Sequence, residues 1–320
     1  MAVHAHPDDE SSKGAASTVR YVREGVDVMV VTCTGGERGD ILNPRLVDDP
    51  QVLADLPAVR QREMARAVEV LGVRHAWLGY VDSGYVEDYT VDGHQDALPQ
   101  DAFARVPVSE AARPLALLMR TFRPHVVTTY DENGGYPHPD HIMTHLVTMA
   151  ALEMAADETL ELLDDDGAVT PPWQVLKVYY HLSFHRARLT ALHEATVAAG
   201  LESPFAAWLD EWVDEPGDAE RLTTRVECAD YFAARDDALR AHATQIDDEG
   251  WWFGIPLEVQ AAAWPTEDYQ LAHSRVVTTV PEDDLFAGIA VDLGGGASAV
   301  VAAPGTTAAD QDRTTQEVTS

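Results

Sequence analysis

Short apolar runs alternate along this chain with stretches in which apolar residues recur every three or four positions. Met1–Ala5 has strand length; Ala15, Val19 and Val22 then share one helical face, and Gly25 ends that helix before a second apolar run, Val26–Cys33. The alternation continues with a helix over Arg60–Gly72 (Met64, Ala67, Val68 and Leu71 on one side) and a strand over His75–Leu78. A helix marked by Leu115, Leu118, Met119 and Phe122 follows, then a central strand, Val126–Tyr130, and a helix from His141 to about Leu163. Strand and helix in regular succession build a mostly parallel sheet flanked by helices, so the expected class is α/β. After Pro171 the alternation loosens into a strand over Trp173–Leu182, a helix over Arg186–Ala199 and a longer helix, Asp230–Ile246, with Asp230 as its N-cap. Trp251-Trp252-Phe253 and the region of Trp264 are expected to pack this part against the main sheet.

The expected organisation is a main domain over 1–170, a smaller mixed part over 171–290 and a disordered tail over 291–320, where Gly, Ala, Thr and Ser dominate. The first strand opens abruptly at Met1, which raises the expectation of residues upstream.

Charge narrows the list of partners. With 54 Asp and Glu against 22 Lys and Arg, the chain carries a formal charge of −32 and would be repelled by a phosphate backbone or an anionic bilayer. Nucleic acid and membrane are therefore not expected partners. Cys33 and Cys228 cannot make a disulfide framework, and each sits in an apolar run where a buried thiol is the ordinary explanation. No apolar run approaches the roughly twenty residues of a membrane span, so the expected location is the cytoplasm.

Two clusters carry the chemistry. His6-Pro7-Asp8-Asp9-Glu10 follows the first strand, and Gly135-Tyr136-Pro137-His138-Pro139-Asp140-His141 follows the strand ending at Tyr130. Both lie where open α/β sheets place their sites, at a strand's carboxyl end before a helix. A catalytic zinc commonly takes three protein ligands from His and Asp or Glu and keeps a position open. His6, Asp9 and His141 supply such a set if the two strand ends are neighbours, which implies one ion per chain. Asp8 is then left beside the metal as a general base, and His138, off the metal, is free to carry a proton. Leading histidines favour Zn2+ or Fe2+ over the oxygen-ligated magnesium of phosphoryl transfer. The run Thr34-Gly35-Gly36-Glu37-Arg38-Gly39 lacks the Lys-Ser/Thr ending of a phosphate-binding loop and reads as a flexible turn near the site. Asp164-Asp165-Asp166-Gly167 reads as a solvated turn.

Those clusters, with the stretches Val30–Pro44, Arg235–Ile246 and Pro265–Tyr269, resemble the zinc-dependent de-N-acetylases that include N-acetylglucosaminyl-phosphatidylinositol de-N-acetylase. The resemblance reaches to about His273. It implies a Rossmann-like fold, one divalent metal and hydrolysis of an amide on a glucosamine-inositol core. His6, Asp9 and His141 match the ligands, Asp8 the base, His138 the histidine that serves the oxyanion and the leaving amine, and Tyr136 a tyrosine that helps hold the oxyanion. Arg60 and Asp82 match residues that grip sugar hydroxyls, and Gln245 one near the inositol. Within the family the expected substrate is a pseudo-disaccharide thiol conjugate, an S-conjugate of mycothiol cleaved to glucosaminyl inositol and a mercapturic acid. The alternatives are deacetylation of N-acetylglucosaminyl inositol and, from the same ligands, a non-catalytic metal-dependent sugar-binding module. Lys13, read as a cation near the start of the first helix where the helix dipole disfavours it, is expected to face the acyl side of the substrate.

Overall fold

The computed structural model describes residues 1–87, 89–91, 93–213, 217–292 and 298–300. Its strands are β1 (Ala2–His4), β2 (Met29–Thr34), β3 (Arg74–Tyr80), β4 (Val126–Thr129), β5 (Lys177–His181), β6 (Thr224–Glu227) and β7 (Thr266–Ser274). They form one seven-stranded sheet in the order β3-β2-β1-β4-β5-β7-β6. Neighbours from β3 to β5 are parallel, and β7 is antiparallel to both β5 and β6. The expected Rossmann-like α/β architecture is the observed one.

The helices are α1 (Asp9–Ser12), α2 (Ala15–Arg23), α3 (Pro50–Ala54), α4 (Leu56–Leu71), α5 (Val108–Phe122), α6 (Pro139–Ala156), α7 (Arg186–Ala198), α8 (Ala206–Glu211), α9 (Asp218–Arg221), α10 (Phe232–Ala241) and α11 (Leu257–Ala263). Alternate residues of the central strands go to opposite faces. Val3 and Val31 pack with Leu115 and Met119 of α5 and Met143 and Val147 of α6, whereas Ala2 and Val30 pack on Met64 of α4. This double coverage is why β1 and β2 read as continuous apolar runs.

Several boundaries moved for tertiary reasons. The helix expected to reach Leu163 stops at Ala156. Buried Arg120 donates to the carbonyls of Met154, Ala155, Asp157, Leu160 and Thr170, and the chain that supplies these acceptors cannot continue as a regular ladder. The long helix expected over Asp230–Ile246 is a 3-10 turn, Ala229–Tyr231, followed by α10; Asp230 lies inside the turn and Tyr231 occupies the N-cap. The helix expected directly after the first cluster is broken into α1 and α2 by Gly14 at φ 79°.

Strand β7 escaped the apolar pattern because it buries charge. Glu267 accepts from Ala16 N at 3.1 Å, Ser17 N at 2.8 Å and Ser17 Oγ at 2.7 Å, so a remote carboxylate satisfies the start of α2, whose N-cap glycine has no side chain. Residues after 171 supply β5, β6 and β7 to the common sheet. Of the expected tail, Ala290–Asp292 (β8) and Ser298–Val300 (β9) pair antiparallel; 293–297 and 301–320 lie outside the described residues.

Candidate active site

The sheet order reverses between β1 and β4. From β1 the chain steps outward through β2 to β3, then returns to place β4 on the other side of β1. The loops leaving two such strands part from one another and open a crevice at their carboxyl ends. There the two His- and Asp-rich clusters meet across a cavity of about 430 Å³, and every expected site residue except His141 lines it. His141 is fully buried.

Asp9 Oδ2 lies 3.6 Å from His6 Nδ1 and 3.4 Å from His141 Nε2. Ligands about 2.1 Å from a tetrahedral zinc stand roughly 3.4 Å apart, so the spacing suits a small divalent ion. His141 Nδ1 bonds to Gly134 O at 3.0 Å, which leaves Nε2 as the free lone pair, and that buried nitrogen has no hydrogen-bond partner. An orphaned buried imidazole nitrogen facing a carboxylate is suited to hold a metal ion. A second group, His6 with His138 and Asp140, is also close enough to hold an ion. Asp140 accepts from Ser83 N and Ser83 Oγ, as Asp9 accepts from His6 N and Lys13 Nζ, but His138 Nδ1 is taken by Asp140 N at 3.1 Å and only the first set holds a buried unpartnered nitrogen, His141 Nε2. The first set therefore fits a metal better. Asp140 serves it from behind: its Oδ2 meets His6 Nε2 at 3.1 Å and fixes the ring so that Nδ1 faces Asp9.

Asp8 caps α1 at φ 112°, an unusual conformation for a residue with a side chain. Backbone held in this region costs about 1–3 kcal/mol and is found where function demands a placement. Burial, with the Asp9 carboxylate beside it, pushes the Asp8 carboxyl up to about 7. Burial, with His6 nearby, pushes the His138 imidazole down to about 3. Because His138 Nδ1 accepts a backbone N–H as the N-cap of α6, its own proton resides on Nε2. Tyr136 is exposed on the rim, with its ring 4.5 Å from that of His141.

The remaining expected residues line the same cavity but also hold it together. Arg60 donates to Gly36 O, to Gly39 O at 3.1 Å and to Asp40 O at 2.9 Å. This loop thus turns carbonyls inward, the opposite of a phosphate cradle, which presents N–H groups. Asp82 accepts from Gly84 N at 2.8 Å and Arg38 N at 3.1 Å, and Gln245 Nε2 donates to Pro7 O at 2.7 Å. Lys13 departs from expectation. It is the C-cap of the four-residue α1, where a cation is favoured, and its Nζ bonds Asp9 Oδ1 at 2.7 Å. The dipole argument for a substrate-facing Lys13 therefore fails; Lys13 lines the cavity and holds the Asp9 carboxyl well below the usual carboxylate range.

Sequence reasoning gave no role to Asp140, Tyr130, Glu10 or His242. Tyr130 stacks on His141 with ring centroids 4.3 Å apart, and its hydroxyl accepts from Ala5 N at 3.0 Å. Glu10 accepts from His242 Nε2 at 2.7 Å, tying the first cluster to the segment after α10. Asp140 and Glu10 were visible inside the two clusters; Tyr130 and His242 carry no local signal. Trp251 and Trp252, expected to pack against the sheet, line the cavity instead, while Trp264 joins a satellite cluster and donates to Asp268 Oδ2 at 2.6 Å.

Fold and site together define a class, and the chain belongs to the GlcNAc-PI de-N-acetylase (PIG-L) family, whose model matches residues 1–152. It is 56% identical over 289 residues to the mycothiol S-conjugate amidase of Streptomyces coelicolor, a match covering 90% of this chain and 96% of that protein. It is 39% identical over 293 residues to a 1D-myo-inositol 2-acetamido-2-deoxy-alpha-D-glucopyranoside deacetylase of Geodermatophilus obscurus, covering 90% of this chain and 97% of that one. Among solved structures, N,N'-diacetylchitobiose deacetylase from Pyrococcus horikoshii shares the fold, with a TM-score of 0.56 at 18% identity over 84% of this chain and 82% of that one.

Proposed function

We propose that this chain is a cytoplasmic, metal-dependent amidase that cleaves S-conjugates of mycothiol, a small pseudo-disaccharide thiol, into glucosaminyl inositol and a mercapturic acid. His6, Asp9 and His141 would hold one divalent ion, with zinc the first choice and ferrous iron suited to the same donors. Asp8 carries the hydrolytic reading: it lies beside the ligand set without belonging to it, on strained backbone, and faces the cavity. The preference for the amidase over the deacetylase rests on 56% against 39% identity over nearly the same span.

A divalent ion at this place supplies Lewis acidity toward an amide carbonyl and makes a water more acidic. Asp8 accepts the proton of the attacking water and is placed to return it to the departing amine nitrogen. His138 donates its Nε2–H to the carbonyl oxygen as negative charge develops there, and Tyr136 is the second donor on the rim. In this reading His138 is a neutral donor rather than the protonated acid of the sequence expectation, which the Asp140 N–H on Nδ1 supports. Lys13 and Asp140 hold Asp9 and His6 in place, and Arg60, Asp82 and Gln245 present polar groups to the sugar and inositol.

The test gives metal-loaded protein both a mycothiol S-conjugate and N-acetylglucosaminyl inositol. We expect a higher kcat/KM for the S-conjugate, and full loss of bound metal in His141→Ala. A preference for the acetylated sugar would replace this reading with the deacetylase.

A further inference from the structure

The catalytic cavity has two unlike flanks. On the side of β2 and β3 its wall is polar: Gly36, Gly39, Asp40, Arg60 and Asp82. On the side of β5 it is aromatic, built from Phe184 after that strand, Trp208 of α8, and Trp251 and Trp252 of a 3-10 turn. Trp251 and Trp252 stack at 4.0 Å, Trp208 meets Trp251 at 5.4 Å, and Phe184 lies 5.9–6.3 Å from the three indoles. Buried Phe205 backs the group at 5.9 Å from Trp208.

Rings of this size are normally covered. Here Phe184, Trp208 and Trp251 are 39%, 44% and 39% exposed, side by side, and open to the catalytic cavity. Their mutual contacts keep them in place, so little side-chain entropy is lost when a flat apolar group settles on them.

Resting on the amidase reading, we propose that Phe184, Trp208, Trp251 and Trp252 form the seat for the apolar, preferably aromatic, substituent on the substrate's sulfur. The sheet order sets the direction. The ligand set hangs from β1 and β4, with the polar loops of β2 and β3 on one side and, on the other, Phe184 after β5, on which the three indoles gather. An amide centred on that set, with its hydroxyl-rich sugar toward the polar flank, extends its acyl half toward the rings. A free acetyl group is too short to use them, whereas a cysteinyl thioether with an aryl group is long enough and chemically matched.

The experiment compares the S-benzyl and S-methyl conjugates and N-acetylglucosaminyl inositol on the wild type and on Trp251→Leu and Phe184→Leu, which keep apolar bulk. We expect the wild type to favour the S-benzyl conjugate. Each variant should lose about tenfold or more in kcat/KM on it, mostly through KM, and less than about threefold on the other two substrates, which also report intact folding. The product N-acetyl-S-benzylcysteine should quench the wild type's tryptophan fluorescence saturably, and N-acetyl-S-methylcysteine should not. Parallel losses on all three substrates would mean that the rings hold the sugar or the fold, and would overturn the seat while leaving the amidase reading intact. A wild type that hydrolyses the acetylated sugar but neither S-conjugate would overturn both.

Discussion

Asp8 and Asp9 are neighbours with opposite surroundings. Lys13 Nζ, 2.7 Å from Asp9, holds that carboxyl well below the usual carboxylate range against the desolvation that would raise it; at Asp8 burial and the Asp9 charge outweigh the more distant pull of His242 and Lys13, and the carboxyl is pushed up. One carboxylate is thereby kept ionised, as the proposed metal ligand must be, and the other left able to take up a proton, as the proposed base must. Asp8→Asn should retain a full equivalent of metal by elemental analysis yet lose roughly two to four orders of magnitude in kcat, the usual worth of a positioned acid or base. Near-normal turnover in the loaded variant would show that another group moves the proton. Both roles were expected from the motif, whereas the pairing of Lys13 with Asp9 was not, because it depends on where the first helix ends.

That ending is an element-scale event governed by Gly14. At φ 79° it separates α1 from α2, and a β-carbon there would sit 2.8 Å from both His181 Cε1 and the Tyr269 hydroxyl. Gly25 offers the matching control, with φ 91° and nothing within 4 Å of a β-carbon. Gly14→Ala should therefore cost more than the about 1–3 kcal/mol of left-handed backbone strain, and Gly25→Ala only that strain, read as shifts in the urea midpoint. Equal shifts would mean that β5 and β7 yield freely to the added methyl. Because α1 carries Asp9, Gly14→Ala should also weaken metal retention.

Across the whole molecule, the sheet sets a pH dependence remote from the site. His75 of β3 bonds to Thr32 Oγ1 of β2 at 3.0 Å, and burial pushes its imidazole from 6.5 down to about 4. The fold prefers the neutral ring, so the contribution is complete above about pH 6.5, where the unfolded histidine is neutral too, and is lost as pH falls toward 4. His75→Gln should lose less stability than the wild type between pH 7 and pH 5 in urea titrations. An identical slope in the two proteins would show that His75 becomes charged without penalty in the folded state.

Local chemistry was already written into the chain. His6 and Asp9, or His138 and His141, are three positions apart, and apolar runs broken by helical periodicity forecast a parallel, doubly covered sheet, because periodicity records which faces are buried. Strand order, by contrast, leaves no trace in periodicity. His6 meets Asp140 across 134 positions, His242 meets Glu10 across 232, and Glu267 reaches Ser17 across 250. Arg60, Asp82 and Lys13 were expected at the site and line the cavity, but their hydrogen bonds to the loop carbonyls, to Arg38 and to Asp9 emerged only with the folded loops. The aromatic flank draws on three segments between Phe184 and Trp252, which no local pattern joins. Such contacts arise from the packing of the whole sheet, since a side chain's partner is fixed by which strands lie side by side, a property of no single stretch of chain.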